Sequence, residues 1–208
     1  MKVLLINGSP REKQCTYTAL SEITESLNKH DIDTDLAWIG KSPIIGCQAC
    51  DVCKKLKNNH CVFDDVVNGI IDKAIAADGL IVGTPVYYAG ANGALLCLLD
   101  RMFCAAGAAL AFKPAAGIAS ARRAGTTPAI DQINKYFLIS KMPLIPSNYW
   151  PMIHGTTAEE ATQDKEGLQI MRVLGQNMAW MLKMMEISKK EGLPTPEIEP
   201  KIATNFIH

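Results

Sequence analysis

The 208-residue chain has no excess of charge of either sign: Lys and Arg total 21, and so do Asp and Glu. A neutral balance offers no broad field to a polyanion, which disfavours nucleic acid and an anionic membrane as partners. The sequence also lacks an uninterrupted apolar run of the roughly 18 residues that a membrane span needs, and its N-terminus enters a strand without a signal-peptide core and cleavage site. Together these absences predict a cytoplasmic protein. No second glycine follows Gly8 until Gly40, which argues against both the G-x-G-x-x-G dinucleotide fingerprint and the G-x-x-x-x-G-K-[ST] triphosphate loop. Internal repeats and low-complexity stretches are missing too. The cysteines number 7, an odd count in a chain without an export signal, so metal or redox chemistry explains them better than a disulfide framework.

What is present starts with residues 1–17. Val3-Leu4-Leu5-Ile6 has the length and β-branched character of a buried parallel strand. Gly8 then turns the chain tightly, and Pro10 fixes φ while removing a donor. Ser9 and Thr16 bring hydroxyls, Arg11 brings a cationic fork, and a helix opening near Cys15 aims unpaired N–H groups and its positive dipole end at the same point. Such a cradle would hold a dianionic monophosphate.

Downstream, apolar spacing predicts a helix from Thr16 to Lys29, a strand over Asp33–Trp38, a helix from Val66 to about Ala77 capped by Asp64-Asp65, and a strand over Gly79–Thr84. A loop over Val86–Gly93 leads to a helix from Ala94 to about Cys104. Next come a strand over Lys113–Ser120, a loop over Ala121–Thr127, a helix over Pro128–Lys141 and a short fifth strand over Pro143–Pro146. Residues 147–157 read as loop, and Glu159–Glu186 as one long helix whose Leu168, Met171, Leu174, Met178, Met181, Leu182 and Met185 make an apolar stripe for core or subunit interface. Alternating strands and helices imply an α/β domain with a parallel sheet covered on both faces, here residues 1–186, with 187–208 as a tail. Ligands of such sheets bind at the carboxyl ends of the strands, where Ser9–Thr16, Pro85–Gly90 and Ala121–Gly125 converge.

Residues 42–65 form a long connection carrying Cys47-x2-Cys50-x2-Cys53-x7-Cys61. Four soft thiolates so close in sequence suit an iron-sulfur cluster or a four-thiolate zinc site, or form a loop of free thiols; three in seven residues favour a [4Fe-4S] cluster over zinc. Cys15, Cys97 and Cys104 lie apart from these and read as buried small hydrophobes. Asp100-Arg101 reads first as an ordinary salt-bridging pair. His30, His60, His154 and His208 receive no role.

Gly8-Ser9-Pro10-Arg11 with Thr16, Gly83-Thr84-Pro85-Val86-Tyr87, Leu98-Leu99-Asp100-Arg101 and the cysteine cluster before Asp64-Asp65 together resemble the flavodoxin-like NADPH-dependent FMN reductases, particularly their iron-sulfur flavoprotein branch. The resemblance implies a flavodoxin-like three-layer sandwich with a five-stranded parallel sheet in the order 2-1-3-4-5. It also implies that Ser9, Arg11 and Thr16, with the backbone at Cys15 and Tyr17, hold the FMN phosphate. Pro85, Val86, Tyr87 and Tyr88 would then lie along the isoalloxazine, with Ser120, Arg122 and Gly125 on its other side. Gln14-Cys15 and Arg122-Arg123 depart from the family's usual Gly-Asn and glycine-rich turn. The implied activity is an NAD(P)H-dependent reductase of flavin, quinone or another small acceptor, forming a homodimer or homotetramer. An electron carrier between protein partners, fed by a ferredoxin-type donor, is the alternative.

Overall fold

The computed structural model describes residues 1–204 and residue 206. The strand β1 (Lys2–Asn7) is followed by the helix α1 (Cys15–Asn28), β2 (Asp33–Trp38), a short α2 (Val52–Leu56), α3 (Val66–Ala76) and β3 (Gly79–Tyr87). The chain continues through β4 (Gly90–Ala91), α4 (Gly93–Ala106), β5 (Ala115–Ala121), α5 (Thr126–Ile139), β6 (Met152–His154), α6 (Ala158–Ala161) and α7 (Lys165–Lys190). The parallel strands lie in the order β2-β1-β3-β5-β6, and β4 folds back antiparallel on the end of β3. Counting only the parallel strands, this is the expected 2-1-3-4-5 arrangement.

Alternate side chains of each central strand feed two cores, the physical sign of a sheet covered on both faces. Leu4, Ile6, Leu80, Val82, Ala115 and Ala119 pack with Val67 and Ile71 of α3, Leu95, Leu98 and Met102 of α4, and Ile133 and Phe137 of α5. Val3, Leu5, Ile81, Ala116 and Ile118 pack on the other side with Leu20, Ile23 and Leu27 of α1 and Met171, Leu174 and Met178 of α7. Of the methionine-bearing stripe, Met171, Leu174, Met178 and Leu182 are core, and Leu168 and Met181 pack against it. Residues Gly93–Leu110 are long and apolar enough to cross a membrane by composition. Burial of Leu95, Leu98, Leu99, Arg101 and Met102 marks that helix as part of the protein interior.

Three expectations change. The fifth strand lies at Met152–His154, beside Ala119–Ala121; of Pro143–Pro146 only Leu144 bridges to the sheet, opposite Ala115. Two prolines in four residues leave too few amide donors for a ladder. The long helix is broken at Thr162–Asp164, because Thr157 caps α6 through the N–H of Glu160 and Asp164 caps α7 through the N–H of Gly167. It then runs to Lys190, so the tail begins a few residues later than expected, and its residues 205, 207 and 208 lie outside the described part. Finally, the stretch after Pro85 is a hairpin whose two turn residues, Tyr88 (φ 48°) and Ala89 (φ 58°), occupy the left-handed region without glycine.

On the outer edge of β5, the Ala115 N–H donates to Pro143 O at 2.9 Å and the Ala119 N–H to Pro151 O at 3.0 Å. Between those bonds the connection swings away, leaving a groove of about 600 Å³ lined by Gly117, Ile130, Asn134, Tyr149 and Trp150 among others.

Candidate functional site

The carboxyl ends of β1, β3 and β5 are tied into one cradle by hydrogen bonds that run between the predicted loops. The Gly8 N–H donates to Gly83 O at 2.8 Å, and the Asn92 side-chain amide donates to Gly8 O at 2.8 Å. Asn92 also caps α4, accepting from the Ala94 N–H at 2.9 Å, and its own N–H donates to the Thr84 hydroxyl. A methyl group on Gly8 would stand 2.5 Å from a Leu95 methyl and 2.8 Å from Gly83 O, so only glycine lets the two strand ends approach. On the far side, the indole N–H of Trp38 donates to Ser9 O at 2.7 Å.

Within this frame Ser9 is buried, and its Oγ accepts from the Arg11 N–H at 3.1 Å; the hydroxyl proton of Ser9 remains to be donated. Arg11 is exposed at the rim. Thr16 and Ser120, assigned to opposite ends of the ligand, are brought together: their hydroxyls lie 2.8 Å apart, and both residues are buried. Cys15 opens α1, and its buried thiol lies 3.3 and 3.2 Å from Gly155 O and Thr157 O, sharing its one proton between them. Burial pushes that thiol up, against an opposing pull from its own backbone hydrogen bond. Tyr17 is half-buried on the first turn.

The ring-side loops also meet. A methyl on Gly125 (φ 92°) would come within 2.8 Å of Ala89 Cα and 2.9 Å of a Val86 methyl, so this left-handed turn packs directly on the hairpin. The Ala91 N–H donates to the Gln132 side-chain oxygen at 2.7 Å, fixing β4 to α5. Pro85 and Val86 are half-buried, Tyr87 is 47% exposed and Tyr88 is fully exposed. Arg122 points to solvent. Beside it, the His154 ring nitrogen Nε2 lies 3.0 Å from Arg123 O, and the His154 N–H donates to Asp164.

The helix starts separate into two kinds. Asp65, Asn92, Thr157 and Asp164 cap α3, α4, α6 and α7 with their side chains. Gln14 and Gly125, which precede α1 and α5, give no side-chain cap. Both uncapped long helices begin at the cradle, and their first-turn N–H groups are open to an anion or a ring acceptor.

The second cluster lies around the loop of residues 42–65. Cys47, Cys50, Cys53 and Cys61 line one cavity together with Phe63, Arg101 and Cys104. Arg101, fully buried, organises it. Its two terminal nitrogens grip Asp65 at 2.5 and 2.9 Å and reach Ile45 O and Phe63 O, its Nε donates to Cys61 Sγ at 3.2 Å, and its carbon lies 5.3 Å from the centre of the Phe63 ring. The ion pair thus joins Arg101 to Asp65 and not to its neighbour Asp100, which accepts from the Tyr136 hydroxyl. Burial would raise the Asp65 carboxyl, but the Arg101 hydrogen bonds and the Val67 N–H hold it below the ordinary range.

Cys104 is exposed and joins this cavity, contrary to its expected place in the core; Cys97 is half-buried. Burial, and then the neighbouring Cys53 and Cys47, push the Cys104 thiol up to about 11. The donor chemistry around the cavity fits an iron-sulfur or zinc centre; among the described residues no three such side chains stand close enough together to share a single ion. The cavity's interior, about 20 Å³, has room for little more than a water. Ala49, Asp51, Lys57 and Asn59 all take left-handed φ between 51° and 62° in this loop, a concentration of strain in non-glycine residues.

Sequence reasoning missed Asn92, Arg101's partners and Cys104. Asn92 was visible as an N-cap residue directly before an apolar helix. The other two depend on how α4 packs against a loop distant in sequence, for which there is no local signal.

Comparison with known proteins bears on both clusters. A family model described as NADPH-dependent FMN reductase matches residues 1–157. The chain is 30% identical over 195 residues to an iron-sulfur flavoprotein of Methanocaldococcus jannaschii, covering 89% of this chain and 100% of that one. It is 28% identical over 190 residues to an iron-sulfur flavoprotein of Methanosarcina thermophila, covering 89% and 97%. Among solved structures, RosB with a bound riboflavin-phosphate intermediate superposes with a TM-score of 0.70 at 14% identity, over 100% of this chain and 94% of that one. An archaeal flavodoxin gives 0.60 at 15% identity, over 88% and 99%; these two likenesses concern the fold.

Proposed function

From the premise that the chain belongs to the NADPH-dependent FMN reductase family and is an FMN-dependent oxidoreductase, we propose how its own residues serve that chemistry. The FMN phosphate sits at Ser9, Arg11 and Thr16 with the first-turn N–H groups of Cys15 and Tyr17. The isoalloxazine lies along Pro85, Val86, Tyr87 and Tyr88, with Ser120, Arg122 and Gly125 opposite. The observation that carries this reading is that the two long helices left uncapped, α1 and α5, are those that open at the cradle.

When bound at these residues, FMN would supply the hydride and electron chemistry that links NAD(P)H to a small acceptor such as a quinone, a free flavin or a metal ion. The residues bind and orient. The Ser9 hydroxyl donates its free proton to the phosphate, Arg11 adds a charge-assisted bond from the rim, and one hydroxyl of the Thr16–Ser120 pair turns to the ligand. Backbone N–H groups of the hairpin, whose turn residues take left-handed φ, would bond the ring edge. The exposed row Trp180, Met184 and Ile187 on α7 supports assembly into a homodimer or homotetramer, and the free thiols suit a reducing, cytoplasmic setting. The test is to reconstitute the purified chain with a mixture of FMN and FAD, wash, denature by heat and chromatograph the flavin. FMN alone is expected, with NAD(P)H oxidation by the loaded protein; FAD or no flavin overturns the assignment.

A second reading, an electron carrier that takes electrons from a ferredoxin-type donor, is favoured by the shared cavity of Cys47, Cys50, Cys53 and Cys61. Iron and sulfide analysis of the anaerobically purified chain decides it: none of either rejects this reading.

A further inference from the structure

The groove beside β5 gathers polar atoms that the protein itself does not use. On this outer edge Ala115 bonds with both of its backbone groups, donating to Pro143 O and accepting from the Ile145 N–H, each at 2.9 Å, and Ala119 donates to Pro151 O at 3.0 Å. Gly117 lies midway between them with the same orientation, so its N–H and C=O open together into the groove. Asn134 of α5 stands over the same spot. A methyl group on Gly117 would lie 3.0 Å from the Asn134 Oδ1, and that oxygen is buried with no hydrogen-bond donor. A buried acceptor left without a donor is destabilising, and a bound N–H would relieve it. The far wall is fixed in place: the Ser147 hydroxyl donates to Ile170 O at 2.7 Å and the Asn177 side-chain amide to Pro146 O at 2.8 Å, tying this connection to α7. It presents Tyr149 and Trp150, an edge-to-face pair with ring centres 4.7 Å apart, each about half exposed. Asp131 is the one charged residue lining the groove, so an anion finds no cation there.

We propose that this groove is a binding site for a neutral planar lactam with an amino group beside its ring N–H, the edge that guanine and pterin rings carry. A single extended residue offers a donor and an acceptor side by side, and a lactam complements them in one plane. The ring carbonyl accepts from the Gly117 N–H, the ring N–H donates to Gly117 O, and the amino group donates to the orphaned Asn134 Oδ1. Trp150 and Tyr149 supply an aromatic surface on which such a ring stacks. The balance of groups selects this edge: Gly117 O, Asn134 Oδ1 and the Asp131 carboxylate accept, while the Gly117 N–H donates. A ring rich in N–H groups is therefore preferred to one rich in carbonyls. The volume of about 600 Å³ admits a two-ring heterocycle with a substituent. None of these residues is assigned to FMN, so the site stands or falls apart from the proposed function.

The test titrates the full chain by calorimetry with guanosine and, separately, with 6-hydroxymethylpterin, each in the absence and presence of FMN. Saturable binding of at least one probe is expected, with the same affinity whether or not FMN is present, and the probe that binds identifies which ring the groove takes. If guanosine binds, 1-methylguanosine, which lacks the ring N–H, and inosine, which lacks the amino group, should bind about tenfold more weakly. Trp150→Ala should weaken either probe about tenfold through lost stacking. Asn134→Leu separates a ligand contact from a structural one: affinity should fall about tenfold, while thermal stability holds or rises because an orphaned acceptor has been removed. Amide exchange at Gly117, followed by NMR in the unsubstituted chain, should slow about tenfold at saturation. Absence of saturable binding by both probes, competition between probe and FMN, or unchanged Gly117 exchange at saturation would each overturn the proposal. Those three outcomes are read on the unsubstituted chain, whatever the variants do.

Discussion

The two clusters are built by opposite means. The cradle is held by many short backbone-centred bonds between strand ends, such as Gly8 to Gly83 and Asn92 to Gly8, so its shape follows from the sheet itself. The cysteine loop is held by a few side chains reaching in from helices: Arg101 touches Ile45, Cys61, Phe63 and Asp65 at once, and Asn68 brackets Cys61 and Phe63 through their backbone. A site made by the sheet tolerates the loss of one contact better than a loop whose one buried cation gathers four of its residues.

The most severe way to break the comparison is Arg101→Ala. It removes a fully buried guanidinium and leaves Asp65, itself a helix cap, without its counter-charge. Unpairing such a charge should cost about 3–5 kcal/mol of folding stability, read from urea denaturation of the flavin-free chain; a loss under about 1 kcal/mol would show that the loop has other supports. Arg11→Ala should have a smaller effect of a different kind. FMN affinity should weaken by about 1.5–3 kcal/mol, the range for a charge-assisted hydrogen bond, and unfolding should stay within about 0.5 kcal/mol, as for an exposed residue. Flavin fluorescence titration beside the same denaturation curve separates the two.

The smallest expected effect is on pH. The Asp65 carboxyl is held below its unfolded value, so its contribution is fully present above about pH 4, where the unfolded carboxyl is ionised, and is lost as pH falls through the lower folded value. Acid should therefore loosen the cysteine loop before the cradle. Limited proteolysis after Lys54 and Lys55 should rise below about pH 4 in the parent, while Asp65→Asn should already be cut at pH 7. Equal cutting of both proteins at neutral pH would contradict the pinning role of the pair.

The sequence carried the layers of the fold because strand and helix periods are local: Val3–Ile6 and Leu80–Val82 announce buried strands, and Leu20, Ile23 and Leu27 announce a helix face. It misplaced the fifth strand because an edge strand of three residues, Met152–His154, has no period to show and is preceded by Trp150-Pro151. The single long helix was misread for the opposite reason. The apolar spacing runs on across Thr162–Asp164, and only the two capping residues, Thr157 and Asp164, reveal the break. At the site, Ser9 and Arg11 were legible from a contiguous motif. Cys104 was not, since its closeness to Cys53 is a product of how α4 packs.

The break in the outer edge of β5 carries a consequence for hydrogen exchange. With a two-residue period, the amide of Gly117 faces the same side as those of Ala115 and Ala119, but it opens onto the groove where its neighbours meet Pro143 and Pro151. Deuterium should therefore enter this strand in its middle first, with a quickly exchanging Gly117 between two slow amides. A strand buried among two cores would thus carry one amide whose exchange rate reports on the groove instead of on global unfolding.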